Sequence, residues 1–243
     1  MDVRIRRQQH ALVLALLASL LLWSLPMGGF LLYPFKLLST WVHEMWHGVA
    51  MMVSGAGFSR LLIFRDTSGI AFADEASQGA RAAVIACAGY MGASLLGSFL
   101  FVVSQRWHRS RLALGGLAVA LGLSLLLWVD NDFGQGMVAV WGMALLAVAR
   151  FAPEPVVVFL ANFVAAQSCI NAVLDIRVLF RPVHVINGSI MQLSDATTMA
   201  TTLFGPPALW AGLWLALSFG CFYLALRLTF LRRRAAPATP ADG

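Results

Sequence analysis

The sequence predicts an all-α polytopic membrane protein with a small β-hairpin. Of its 243 residues, 60% are hydrophobic and only 12% are charged, about half the charged share of a soluble domain, and the mean hydropathy is +0.79. Several apolar runs reach the roughly 20 residues that a helix needs to cross a bilayer core about 30 Å thick. Basic residues exceed acidic ones by 17 to 11, but they cluster at the ends of these runs: Arg4, Arg6 and Arg7; Arg106, Arg109 and Arg111; Arg232, Arg233 and Arg234. Placed there, they anchor and orient membrane spans. The lipid bilayer is the expected partner, and nucleic acid is not.

The elements follow in order. After a basic lead over residues 1–10, a first span covers Ala11–Leu32, with Pro26 and Gly28-Gly29 kinking it or ending it early. Its length, and the lack of a small-x-small site before a polar start, favour a retained span over a cleaved signal peptide. The second helix starts near Pro34 and runs to about Ser54, where Gly55 and Gly57 stop it. Arg60–Asp74 reads as two short apolar runs around the turn Asp66-Thr67-Ser68-Gly69, a hairpin signature. A lone hairpin is marginal in water, so this one must rest on the helices or the membrane interface.

Further spans are expected at Ala82–Val103, Leu112–Val129, Met137–Phe151 (short), Pro155–Asp175 and Pro207–Phe230, giving about six to seven transmembrane helices. Gly89, Ala93 and Gly97 form a ridge of small residues, read as close helix packing. Between Arg177 and Pro206 the chain turns polar. A short helix capped by Ser194 and ended by Gly205 is expected along the interface or over a cavity mouth. Residues 1–234 form one domain and 235–243 a disordered tail. Cys87, Cys169 and Cys221 are widely spaced, contain no CxxC pair and fill space as small hydrophobes.

Chemistry concentrates in STWVHEMWHGVAMMV, Ser39 to Val53, where His43-Glu44-Met45-Trp46-His47 fits H-E-x-x-H. On a helix, i and i+4 share a face with Cβ atoms roughly 5–6 Å apart. Two imidazoles so placed can bind one Zn²⁺ at about 2.0–2.1 Å each. Glu44 leaves the helix on an adjacent face, in reach of a water that the zinc acidifies, and can take its proton as a peptide carbonyl is attacked. Ionisable groups inside a span are costly unless paired or functional. The chain has only five histidines, and two of them fall here. The plainer alternative is an interhelical hydrogen-bond cluster without metal, for which a carboxylate between two imidazoles is an odd choice.

Such a centre needs a third protein ligand and an open position for water or substrate. Leu160–Phe180 offers Asn162, Gln167, Asn171 and Asp175. Asp175 is the only carboxylate there, and its hard anionic oxygen suits zinc. Asn171 precedes it by four, on the same face, where it can orient the ligand or hold a substrate carbonyl. The alternative for Asp175 is a helix-end pairing with Arg177 or Arg181. Asp130 and Asp132, in VDNDFGQG, read as a solvated loop; His184 reads as exposed, and His10 and His108 as interfacial.

With these residues the chain resembles the site-2 proteases, the intramembrane zinc metalloproteases, and especially their short bacterial and plant relatives without a PDZ domain. The resemblance rests on HEMWHG, the hairpin after it, GYMGASLLG (Gly89 to Gly97), a late Asn/Asp-bearing helix and SDATTMATTLFGPPALWAGLWLAL near the end. It implies that His43 and His47 are zinc ligands, that Glu44 is the general base, and that Asp175 is the third ligand, in the place of the family's N…LDG aspartate. NAVLDI departs from that motif, with isoleucine where glycine is usual and no proline after the asparagine. The resemblance also implies a substrate-aligning edge strand in Arg60–Asp74, a membrane-protein substrate, and a location in the bacterial inner membrane.

Orientation divides two arguments. The positive-inside rule prefers a re-entrant HExxH helix, whereas shared metal geometry between the helices of His47 and Asp175 prefers full crossing. The expected activity is a zinc-dependent intramembrane endopeptidase. Its rivals are a non-proteolytic scaffold or chaperone-like binder retaining the fold and, behind that, a small proton- or metal-coupled transporter.

Overall fold

The computed structural model describes residues 3–104, 107–179 and 183–231; within 3–9, 107–108, 175–179, 183–185, 190 and 230–231 it describes the backbone alone. The expected tail, 235–243, lies outside the described residues. The elements in order are α1 (Val3–Ser24), α2 (Gly28–Leu31), α3 (Tyr33–Val53), β1 (Arg60–Ile63), β2 (Gly69–Phe72), α4 (Gly79–Val103), α5 (Trp107–Leu127), α6 (Asp132–Phe151), α7 (Glu154–Leu179), β3 (Val183–Ile186), β4 (Ile190–Leu193), α8 (Asp195–Thr202) and α9 (Pro207–Leu231).

Among the described residues five helices are long and apolar enough to cross a membrane: Gly79–Val103, Arg109–Leu127, Asp132–Phe151, Glu154–Leu174 and Pro207–Thr229. His10–Ser24 in α1 is apolar but shorter. α3 has the length, at 21 residues, but Lys36, His43, Glu44 and His47 lower its hydropathy. The six to seven spans expected from sequence therefore become five clear ones, with α1 and α3 beside them. Pro26 falls in the turn between α1 and the single turn of α2, so the first apolar run ends early, as Pro26 and Gly28-Gly29 indicated.

The centre of the bundle is α7 with α4, whose apolar windows are 72% and 56% buried, against 17% in α6 and 22% in α9. α4 packs against α3, α7, α8 and α9. Gly97 permits its approach to α7: a Cβ there would lie 2.6 Å from Cys169 Sγ and 3.0 Å from the Ala165 carbonyl oxygen. Cys169 is buried, Cys87 and Cys221 are half-buried, and all three are free. Leucines left exposed on α1, α5 and α9, such as Leu14, Leu126 and Leu213, form the outward apolar surface that a bilayer would cover.

β1 and β2 pair antiparallel, with Leu61 opposite Ala71 and Ile63 opposite Gly69. The outer edge of β1 is covered. Leu61 N–H donates to the Trp128 carbonyl at 2.7 Å, and Asp130 N–H donates to the Leu61 carbonyl at 3.1 Å. The Asn131 side chain completes this cover, accepting from Ile63 N–H at 3.1 Å and donating to its carbonyl at 2.7 Å. VDNDFGQG is thus more than a loop: its first residues seal a strand edge, and α6 already begins at Asp132, five residues before the expected Met137. Since Leu61 turns its backbone groups outward, Ala71, opposite it, turns its own to the far side of β2. Ala71 N–H on that edge is taken by Glu44, and no strand among the described residues pairs with the edge.

A second hairpin, β3–β4, stands where the sequence reading saw only a polar stretch. Asn187 and Gly188 turn it, with φ of 49° and 68°, the left-handed conformation that Asn and Gly supply in hairpin loops. The two hairpin tips meet, Asn187 N–H donating to Ser68 Oγ at 3.3 Å.

Candidate metal centre

His43, Glu44 and His47 project from the middle of α3. His47 Nδ1 hydrogen-bonds the Ile85 carbonyl of α4 at 2.7 Å. As a carbonyl only accepts, Nδ1 carries the proton, and the Nε2 lone pair is free for a metal, the arrangement that orients metal-binding histidines generally. The His43 ring packs edge-on against Tyr90, centroids 4.7 Å apart, and Tyr90 stacks on Trp214 of α9. The two Nε2 atoms lie 2.9 Å apart.

The third group comes from α8. Asp195 Oδ2 lies 3.4 Å from His43 Nε2 and 3.3 Å from His47 Nε2. These residues offer three ligand atoms, all within 4.8 Å of one another. Donors at about 2.0–2.1 Å from a tetrahedral ion stand about 3.3 Å apart, so two neutral imidazole nitrogens and one carboxylate oxygen fit a zinc ion in both spacing and chemistry. Burial alone would raise the Asp195 pKa. With no metal bound and the imidazoles protonated, the charge of His47 and the contacts with both rings outweigh burial and hold the carboxyl well below its ordinary range.

Sequence reasoning singled out the histidines and glutamate and passed over Asp195. It follows the cap residue Ser194, whose Oγ accepts from Thr197 N–H at 3.2 Å, and an acid in a first helical turn already has a local explanation. α8 follows the Ser194 cap, as expected, and Ser194, Asp195 and Thr198 line a cavity. Asp175 belongs to α7, but its side chain lies outside the described residues, as do those of His184 and His108. His10, Asp130 and Asp132 are exposed, and Asp130 pairs with Arg60 at 3.6 Å.

Of the other polar residues of α7, Asn162 holds Ser104 and the Val158 carbonyl, and Gln167 holds Trp23 and Ser19. Neither is part of the centre. Asn171 lines the cavity; it is 3% exposed, and its Nδ2 has no hydrogen-bond partner among the described residues.

Gly89 joins the site more closely than its sequence reading as packing suggested. A Cβ there would lie 2.5 Å from His47 Nε2 and 2.6 Å from His43 Nε2. Any side chain at Gly89 would therefore press on the two imidazole nitrogens that face the candidate centre. Glu44 is buried beside the histidines and accepts a hydrogen bond from Ala71 N–H on the far edge of β2. The cavity in front of these groups measures about 940 Å³. It is lined by α3, by β2 from Gly69 to Phe72 and by β4 from Met191 to Leu193.

The family model described as Peptidase M50B-like matches residues 11–225. The chain belongs to this family. An M50B peptidase is a membrane metalloprotease of the site-2 protease group, and both the apolar helices and the three-residue centre of this M50B-like chain agree with that. No curated protein and no solved structure matches it.

Proposed function

We propose that this M50B-like protein is a zinc-dependent intramembrane endopeptidase that hydrolyses peptide bonds in or near transmembrane segments of other membrane proteins. The observation that carries the proposal is the triangle of His43, His47 and Asp195 donors beside Glu44, facing a cavity walled by the far edge of β2. In this reading His43, His47 and Asp195 hold zinc. When bound, zinc supplies a Lewis acid that polarises a carbonyl and makes water more acidic.

The protein's residues do the rest. The far edge of β2 takes the substrate as an added strand, which satisfies the backbone of an unwound segment inside the membrane. Asn171 Nδ2 donates to a substrate carbonyl. Glu44 accepts the proton of the attacking water as a new C–O bond forms, then passes it to the departing amine as the C–N bond breaks. Ala71 N–H holds the Glu44 carboxylate in place throughout.

The test is the metal content of the purified protein together with cleavage of a reconstituted single-span segment. About one zinc per chain, lost in His47→Ala and Asp195→Ala but kept in Glu44→Gln, with cleavage lost in all three, supports the reading. Zinc retained in Asp195→Ala but lost in Asp175→Ala would return the third position to Asp175. A parent protein that takes up no zinc after reloading is a scaffold and not a peptidase.

A further inference from the structure

The cavity in front of the candidate centre contains a cation with no ion-pair partner among the described residues. Lys36 is the one lysine of the chain and the only Lys or Arg among the described residues that line the cavity. It sits on α3 seven residues before His43, on the same face. Its ammonium lies over the Trp23 ring, 4.7 Å from the centroid, and it makes no ion pair among the described residues. Trp23 is itself fixed: its indole N–H donates to Gln167 Oε1 at 3.2 Å, Gln167 Nε2 donates to Ser19 Oγ at 3.0 Å, and Ser19 Oγ donates to the Ala15 carbonyl at 2.8 Å.

The carboxylates that line the same cavity among the described residues are all engaged. Asp66 accepts from the backbone and hydroxyl of Ser68, Glu75 pairs with Arg81, Glu44 accepts from Ala71, and Asp195 faces the two histidines. A half-buried ammonium against an aromatic face, within an otherwise apolar bundle, is costly when unpaired. It becomes favourable when an anion arrives.

We infer that Lys36 is a specificity-determining residue that receives a carboxylate of the substrate, an Asp or Glu side chain or a free C-terminus, several residues from the bond that is cut. The spacing follows from helix and strand geometry. Seven residues of helix span roughly 10 Å, and the lysine stem reaches further towards the helix start. At about 3.3 Å per residue of extended chain, the carboxylate stands about three to five residues from the scissile bond. This inference rests on the endopeptidase reading for the register of the substrate, but the charge preference can be measured without cleavage.

The experiment uses zinc-loaded Glu44→Gln protein in detergent and twelve-residue peptides of Ala, Val and Leu. Each carries a single Asp, or Asn in its twin, moved stepwise along the chain. At one position the Asp peptide should bind about tenfold more tightly than its Asn twin, equivalent to about 1.4 kcal/mol. In the same background Lys36→Met should bring the ratio to about one, Lys36→Arg should keep it, and Lys36→Glu should favour an Arg peptide. Equal binding of both twins at every position, or a preference that survives Lys36→Met in protein still holding zinc, overturns the inference. So does binding that follows the phosphatidylglycerol content of vesicles instead of the peptide charge, since Lys36 would then hold a lipid phosphate. If the preference is found and the Glu44 parent cuts none of the peptides, the carboxylate site stands and the endopeptidase reading fails.

Discussion

Glu44 and Asp195 are both carboxylates at the same candidate centre, yet their surroundings differ, and the proposed function gives them different work. Asp195 points an oxygen at both imidazole nitrogens, whereas Glu44 is tied to the backbone of a strand. Replacing Glu44 by Gln removes the proton acceptor and keeps the shape, so zinc content should stay near one per chain while cleavage falls about 10²–10⁴-fold, as single-turnover assays would read. Asn171→Ala should leave zinc unchanged and lower kcat/KM about 10²-fold if its unpartnered amide meets the developing negative charge. Gly89→Ala is the sharper structural test: its methyl would lie 2.5 Å from His47 Nε2, and zinc binding should be lost in a chain that still folds. The pair of histidines was legible because helical periodicity alone puts i and i+4 together. Asp195 was not, because its meeting with them is a tertiary contact across most of the chain, and its place after Ser194 has a sufficient local explanation.

At the scale of elements, the two hairpins show which signals can be read. The Asp66–Gly69 turn between apolar runs announced the first. Asn187-Gly188 carried equally good turn chemistry for the second, but the flanking residues were read by their polarity and not by their alternation. What no local pattern announced is that residues 128–131 seal one edge of β1 and so make β2 the working edge. Asn131→Ala removes both side-chain bonds to Ile63 and should destabilise the hairpin by about 1–3 kcal/mol. Faster hydrogen exchange at Ile63 and a raised KM, with unchanged zinc content, would report it. Ser194→Ala removes the cap that sets the start of α8 and costs about 1 kcal/mol locally. Because Asp195 is the next residue, zinc affinity should weaken about fivefold to tenfold in a competition titration with a chelator.

For the whole molecule, composition was enough to give a helical membrane protein, and the span count was the less certain part. Hydropathy ranks α3 below its neighbours because it carries Lys36, His43, Glu44 and His47, so the helix that holds most of the candidate site is not among the five clear spans. The small-residue ridge of α4 also serves two purposes that sequence cannot separate. Gly97 lets α7 approach, and Gly89 leaves room between two imidazoles.

The proposed ligand set joins the first quarter of the chain to its last fifth. His43 and His47 belong to α3, while Asp195 opens the segment that leads through α8 into α9. A bound ion therefore acts as a rivet between distant parts of the chain, in addition to its chemistry. Free zinc a hundredfold above its Kd would add about 2.7 kcal/mol to folding stability, or roughly 5–10 °C in Tm for a chain of this size. Chelation should release α8 first, seen as early proteolysis between Leu193 and Pro207, while the α4–α7 centre holds. An ion-starved cell would then lose this protein by turnover as well as by inactivity, its abundance following the supply of metal.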